Sequence, residues 1–233
     1  MKIVGKNAVM EALRSGVTID TLLVEKGLNH EIVARARKAN VKIQYVDKKI
    51  LDKRSPDVKH QGFIAETSEF NYSTVEDILL SKKDRHFIVI LDGLEDPHNL
   101  GSILRVCECA GVDGVIIPKN RSVSVNDTVV RISAGASSFV KVAKVTNLNQ
   151  TIEELKKRNI FVFCADMDGQ SIYKTDLKGD IALVIGGEGF GVSKLTKELC
   201  DGVIALPLIG QVNSLNASVA CGIVVYEVVR QRL

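Results

Sequence analysis

Residues 181–194 read IALVIGGEGFGVSK: five apolar residues run straight into glycines that surround one carboxylate, and the chain then turns polar at Ser193 and Lys194. An apolar run with no polar alternation predicts a strand buried on both faces, the pattern of a parallel sheet covered by helices. The glycines predict a turn whose backbone approaches something closely, because glycine removes the side-chain barrier and tolerates positive φ. Glu188 stands in the middle, where a carboxylate has no packing role. Spacing excludes two phosphate-binding readings. Gly186 and Gly191 are separated as in a P-loop, yet Val192, Ser193 and Lys194 follow where Lys-Ser/Thr is required at once, and no GxGxxG occurs in the stretch. For this stretch alone, a plain turn feeding a helix stays open as the alternative.

The same alternation extends outward in both directions. HFIVILDGL (86–94), GVIIP (114–118), FVKVAKV (139–145), IFVFCAD (160–166) and GVIALPL (202–208) read as further buried strands. NLGSILRVCECAG (99–111), NDTVVRISAGAS (126–137), TIEELKKRN (151–159) and SKLTKELC (193–200) carry helical periodicity. An α/β architecture with a mostly parallel sheet follows. The closing NSLNASVACGIVVYEVVRQRL (213–233) is apolar nearly all round until Arg230, Gln231 and Arg232, which predicts a buried helix, with a subunit contact as one way of burying it.

Upstream, the pattern repeats on a smaller scale. KNAVMEALRSG (6–16) reads as a helix closed by Gly16, TLLVEK (21–26) as a strand, EIVARARKAN (31–40) as a helix, KIQYV (42–46) as a strand, KKILDKRS (48–55) as a short helix and GFIAETSEF (62–70) as a strand. We therefore divide the chain into a small α/β unit (1–70), a structured connector (71–84) containing the helical VEDILL, and a larger α/β unit (85–233).

Composition bounds the function. In 233 residues, 45% hydrophobic and 25% charged, the balance is that of a soluble globular protein. Lys6 and Glu11 interrupt the first apolar stretch, against a secretory signal, and no run approaches the roughly 18 apolar residues of a membrane span. Five cysteines (Cys107, Cys109, Cys164, Cys200, Cys221) form an odd set without a CxxC pair, against a disulfide framework or a zinc site. A cytoplasmic protein with no metal and no membrane partner is expected. Net charge is only +3, but residues 1–70 hold 13 Lys or Arg against 9 Asp or Glu, while residues 71–233 hold 18 against 19. Lys38, Lys42, Lys48, Lys49, Lys53, Arg54 and Lys59 cluster there with Asp47, Asp52 and Asp57 between them. RNA binding and a solvated helix face explain that cluster equally.

In such sheets ligands bind beyond the carboxyl ends of strands. Three loops qualify, and their sequences DPHNLGSILR, LVIGGEGFGVS and IALPLIGQVNSLNASVA resemble, in order and spacing, the three motifs of the SpoU (TrmH) family of RNA ribose 2'-O-methyltransferases. IVGKNAVMEAL and HQGFIAE are similar to the substrate-binding domain of the branch related to bacterial 23S rRNA guanosine methyltransferase, a domain of ribosomal-protein-like fold. The resemblance implies S-adenosylmethionine as cofactor, a C-terminal trefoil knot and a homodimer with the last helix at its contact. It implies a site of Asn99 and Arg105 from the first motif, Glu188 from the second and Asn216, beside Ser214, from the third. Cofactor contacts, largely through backbone, fall on Gly186, Leu206, Ile209 and Leu215.

Arg105 is the family's candidate for handling the proton of the ribose hydroxyl. Guanidinium stays protonated under nearly all protein conditions, so the role expected here is a phosphate clamp that orients the ribose. A surface salt bridge is the plain alternative. Asn99 and Asn216 can each be simple helix-start residues, and Glu188 a loop-stabilising carboxylate. His98, after Pro97 in a polar loop, is expected to be solvated or backbone-bonded rather than a general base. The function expected is methylation of a ribose 2'-OH in ribosomal RNA, a guanosine of 23S rRNA. A tRNA substrate or a non-catalytic RNA-binding assembly protein are the alternatives.

Overall fold

Residues 2–14, 19–56, 58–67, 70–81, 84–189 and 191–233 are described by the computed structural model. Gly16, expected to close the first helix, lies outside them. The first part of the chain forms β1 (Lys2–Val4), α1 (Lys6–Arg14), β2 (Ile19–Glu25), α2 (Glu31–Lys38), β3 (Lys42–Val46), α3 (Lys48–Arg54) and β4 (Phe63–Thr67). The sheet order is β1-β4-β2-β3, with β4 antiparallel to β1 and β2, and β3 parallel to β2. Successive side chains of β2 point to opposite faces. Leu22 and Val24 join Val9 and Ile32 in one core, while Leu23 meets Ile64 and Leu51 in another.

The connecting segment is tied down at its start. The Tyr72 hydroxyl accepts from Val125 N at 2.9 Å, and Ser73 N donates to Val142 O at 2.9 Å. Thr74 and Asp77 close a capping box on the short helix α4 (Val75–Leu79).

The rest of the chain forms β5 (Phe87–Asp92), α5 (Pro97–Cys109), β6 (Gly114–Pro118), α6 (Asp127–Ile132), β7 (Lys141–Val145), α7 (Leu148–Lys157), β8 (Phe161–Ser171), β9 (Ile181–Gly186), α8 (Lys194–Leu199), β10 (Gly202–Ala205) and α9 (Ala217–Arg232). The order is β10-β8-β9-β5-β6-β7, and every pairing is parallel. The two faces of the central strands belong to separate cores. Val89 and Leu91 of β5 pack in the core that holds Leu100, Ile103 and Val224, whereas Ile88 and Ile90 pack in the one that holds Ile78, Ile152 and Leu155. That double burial is why these strands read as unbroken apolar runs.

Two expectations are corrected. The helix read over 126–137 stops at Ile132, because Ala134 (φ 50°) and Gly135 (φ 93°) take left-handed backbone and a separate short turn follows. The terminal helix is not buried all round within one chain. Its inner side holds Ala217, Cys221, Val224, Val225 and Val228, but Val219, Ile223 and Tyr226 are 50%, 38% and 49% exposed. Both sides are apolar because one packs on α5 and β9 while the other lies uncovered in the single chain.

Polar residues fasten the end of α9. Gln231 Nε2 donates to Thr175 O at 3.0 Å and its Oε1 accepts from Leu177 N at 2.8 Å. Arg232 donates to His86 O at 2.9 Å and Gly179 O at 2.6 Å, with its guanidinium over the Phe87 ring. Arg230 bonds Glu227 through both carboxylate oxygens at 2.8 Å, which holds the Glu227 carboxyl down at about 2.

A further irregularity lies at the sheet's edge. β8 pairs with β10 through Phe163 and Cys164, then resumes at Gln170 and Ser171, so residues 165–169 leave the ladder. A Cβ on Gly169 would lie 2.6 Å from the backbone carbon of Val203, so only glycine lets the excursion close against β10.

Candidate active site

The site is built from the three loops that follow β5, β9 and β10. After β5, Asp96 caps α5 by accepting from His98 N at 2.9 Å, and Pro97 occupies the first turn. Asn99 is therefore not the cap. It sits inside the first turn, only 4% exposed, and a buried amide needs partners for both its ends. Its Nδ2 donates to Glu188 Oε1 at 2.8 Å, and its Oδ1 accepts from Asn216 Nδ2 at 2.9 Å. Asn216 Nδ2 also donates to Glu188 Oε1 at 2.9 Å. An ionised carboxylate only accepts, which sets both amide nitrogens toward it. Asn216 is a helix-start residue as well, since its Oδ1 accepts from Ser218 N at 3.0 Å and Val219 N at 3.3 Å. One side chain from each loop thus meets the other two.

Arg105 is not brought into this cluster. It follows Asn99 by six residues, which on an α-helix is about 9 Å along the axis and a different face. Its guanidinium is exposed and makes no ion pair with any described residue. His98 is exposed, as read. Cys107 is buried and Cys109 exposed, and the Cys107 thiol is pushed well up by its contact with Cys221 and by burial.

The glycine turn closes on β5. Gly187 N donates to Asp92 O at 2.8 Å, Ser193 N donates to Asp92 Oδ2 at 2.9 Å, and Gly191 N returns to Gly187 O at 3.2 Å. A Cβ at Gly186 would lie 2.1 Å from the Gly191 carbonyl carbon, and one at Gly187 2.1 Å from Gly93 O. These positions admit no side chain, so bare backbone faces the space beside them.

That space is a cleft of about 600 Å³, in the range of small-molecule sites. Gly186, Leu206 and Leu215 line it together with Ile185, Ile204, Leu208, Ser214 and the cluster residues Glu188 and Asn216. Ile209 does not; its side chain is 99% exposed. The excursion of β8 adds Ala165, Asp166 and Met167 to the lining. Among the described residues the lining holds two carboxylates, Asp166 and Glu188, and no Lys, Arg or His, although Lys197 stands behind Asp166. Among the described residues no three or more His, Cys, Asp or Glu side chains are grouped to hold a metal ion, and no helix is long and apolar enough to cross a membrane.

Asp92, Asp166 and Lys197 escape the reading of the sequence. Asp92 ends β5 and could have been found from the rule that strand ends carry the site. Lys197 meets Asp166 at 3.2 Å and also bonds Asp168, a contact that raises the lysine and lowers the Asp168 carboxyl. Nothing local signals that arrangement.

Residues 86–226 match the SpoU rRNA methylase family, and residues 2–73 match a family described as RNA 2'-O ribose methyltransferase substrate binding. A Staphylococcus haemolyticus protein named for the TrmH family of tRNA/rRNA methyltransferases is 45% identical, the match covering 99% of this chain and 95% of that protein. Its Bacillus subtilis counterpart, similarly named, is 42% identical over 99% and 95% of the two chains. In fold, the chain is similar to the crystal structure of the SpoU methyltransferase AviRb from Streptomyces viridochromogenes in complex with AdoMet, with a TM-score of 0.75, 23% identity, and coverage of 100% of this chain and 90% of the other.

Proposed function

The chain belongs to the SpoU rRNA methylase family, and from that premise we propose that it transfers a methyl group from S-adenosylmethionine to a ribose 2'-OH of ribosomal RNA, a guanosine of 23S rRNA, in the cytoplasm. The observation that carries this reading is the network of Asn99, Glu188 and Asn216, which ties together the ends of three separate strands beside the cleft. A non-catalytic binding protein has no need of such convergence.

The cleft fits the cofactor. Apolar walls from Ile185, Leu206 and Leu215 suit an adenine ring, the bare backbone at Gly186 and Gly187 admits close approach, and two carboxylates suit a molecule carrying sulfonium and ammonium charges. Leu206, Leu208 and residues 213–215 supply the rest of the lining, with Ile209 outside it. When bound, S-adenosylmethionine supplies a methyl carbon made electrophilic by its sulfonium.

The chain's residues position the acceptor. Glu188, fixed by two amides, orients polar groups at the mouth of the cleft. Arg105, exposed and unpaired among the described residues, grips the RNA phosphate next to the target ribose through its planar fork. Holding both reactants in line accounts for much of the acceleration. The hydroxyl proton leaves to phosphate or water, because guanidinium is a poor base beside a polyanion.

The remaining assignments belong to the same reading. Residues 1–70, with the basic surplus, bind the RNA; residues 71–84 connect; residues 85–233 form the cofactor-binding unit. The run from β10 past the glycine turn to α9, where Asn216 reaches across to Asn99 and Glu188, is read as the crossing of a trefoil knot. The stripe Val219, Ile223 and Tyr226 is covered by a second copy in a homodimer. The decisive experiment incubates the protein and labelled S-adenosylmethionine with separate rRNA and tRNA pools lacking modification, then maps the labelled nucleotide. Label at a 2'-O of 23S rRNA is expected; label in tRNA alone would replace rRNA as the substrate, and no label in either pool would overturn the enzymatic reading.

A further inference from the structure

We propose that Asp166, held in place by Lys197, receives the α-ammonium group of the cofactor's amino-acid portion. This rests on the reading of the cleft as a site for S-adenosylmethionine. Asp166 stands on the excursion that leaves the β8 ladder, and it lines the cleft on the wall supplied by β8. Its Oδ1 accepts from Met167 N at 2.6 Å and its Oδ2 lies 3.2 Å from Lys197 Nζ. Both side chains are about three-quarters buried, at 23% and 25% exposure. A carboxylate has acceptor sites for about four hydrogen bonds, so two fixed partners leave capacity toward the cleft. A Cβ on Gly191 would stand 3.9 Å from Oδ2, an ordinary contact distance, so the glycine turn lies close beside the carboxylate.

The assignment to the ammonium follows from what each cation does during the reaction. The sulfonium loses its charge as the methyl leaves. A carboxylate pressed against it would stabilise the reactants more than the transition state and slow the transfer. The ammonium keeps its charge throughout, so gripping it costs nothing at the chemical step. Position agrees. Glu188 is already bound by the Asn99 and Asn216 amides, whereas Asp166 lies on β8, beyond β9 from β5 and the loop that carries Asn99. Lys197 acts as a positioning residue. It bonds Asp166 and Asp168 together and does not itself line the cleft.

The test is calorimetric binding to the full-length protein of three nucleosides that differ one group at a time: S-adenosylmethionine, S-adenosylhomocysteine, which lacks the sulfonium charge, and 5'-methylthioadenosine, which lacks the amino-acid portion as well. D166N is expected to weaken the first two alike, by about tenfold, and to leave the third unchanged. K197M should give the same pattern at smaller size. An equal loss for all three would mean that Asp166 only shapes the loop, and would overturn the assignment. A loss for S-adenosylmethionine alone would place the carboxylate on the sulfonium and overturn it too, as would no change in any. If the wild-type protein binds none of the three, the cofactor reading itself fails and takes this inference with it.

Discussion

The two sheets handle charge in opposite ways. Around the first, charged residues are spread over exposed surface: Lys26 with Asp47, Arg35 with Glu31, and Arg54 with Glu66 pair locally and side by side. Beside the second, polar groups from distant parts of the sequence converge. Asn99 and Asn216 are 117 residues apart and meet at 2.9 Å. A polyanion is held by many weak, interchangeable contacts, each screened by salt. Group transfer needs a few groups held within a fraction of an ångström. On the proposed function, the chain uses a diffuse surface for the first task and a focal one for the second.

The largest expected effect tests the one residue that stands between these modes. Arg105→Ala should lower single-turnover methylation roughly 100-fold or more, and Arg105→Lys, which keeps charge but loses the planar fork, should fall between it and the wild type. A wild-type rate in the alanine variant, with unchanged RNA affinity, would remove Arg105 from the focal site. Next is Gly187→Ala, whose methyl would meet Gly93 O; a loss of roughly 1–3 kcal/mol is expected in thermal or denaturant unfolding, together with weaker cofactor binding. If the variant is as stable as wild type, the glycine turn is less rigid than its hydrogen bonds imply.

Smaller effects are expected where contacts are shared. Replacing Lys38, Lys42, Lys48 and Lys49 together by Gln should weaken RNA binding about tenfold at moderate salt and flatten its salt dependence, leaving S-adenosylmethionine affinity unchanged. Equal loss of both affinities would break the division of labour. The smallest effect belongs to Glu227. Its carboxyl is depressed in the folded chain, so its contribution is complete above the ordinary carboxylate range and disappears as pH falls toward about 2. Glu227→Gln should lower stability at pH 7 by about 1 kcal/mol, read as a fall of a few degrees in Tm, with the gap to wild type closing in acid.

What could be read in advance follows the same divide. Strands buried on both faces announce themselves, because no solvent-facing residue interrupts them. The glycines at 186, 187 and 191 are legible as a turn, though not the reasons each is glycine: Gly187 meets Gly93, Gly186 meets the backbone of Gly191 and Val192, and Gly191 has a positive φ. Asn99, Glu188 and Asn216 could be named as a set from three loops recognised together, but their bonding depends on how far each loop reaches. Arg105 was grouped with them, although its offset of six on the helix already set it apart. Asp166 was beyond reach. The step in β8 that exposes it is imposed by Gly169 lying against β10, a contact between segments that no local pattern encodes. The end of the helix at Ile132 was missed for a nearer reason, since Ala134 gives no hint of its left-handed backbone.

The fastening of α9 bears on how the protein comes into being during synthesis. Gln231 and Arg232, the last two residues before Leu233, hold the backbone at 86 and at 175–179, and Asn216 completes the cluster begun at Asn99. While the chain is emerging from the ribosome, the first sheet has every strand it needs once residue 67 is out. The second needs strands out to residue 205 and then α9, which Asn216 ties back to Asn99, and its distant pairings make it the slower to form. A growing chain would therefore pass through a stage with the first unit already folded and the second still open.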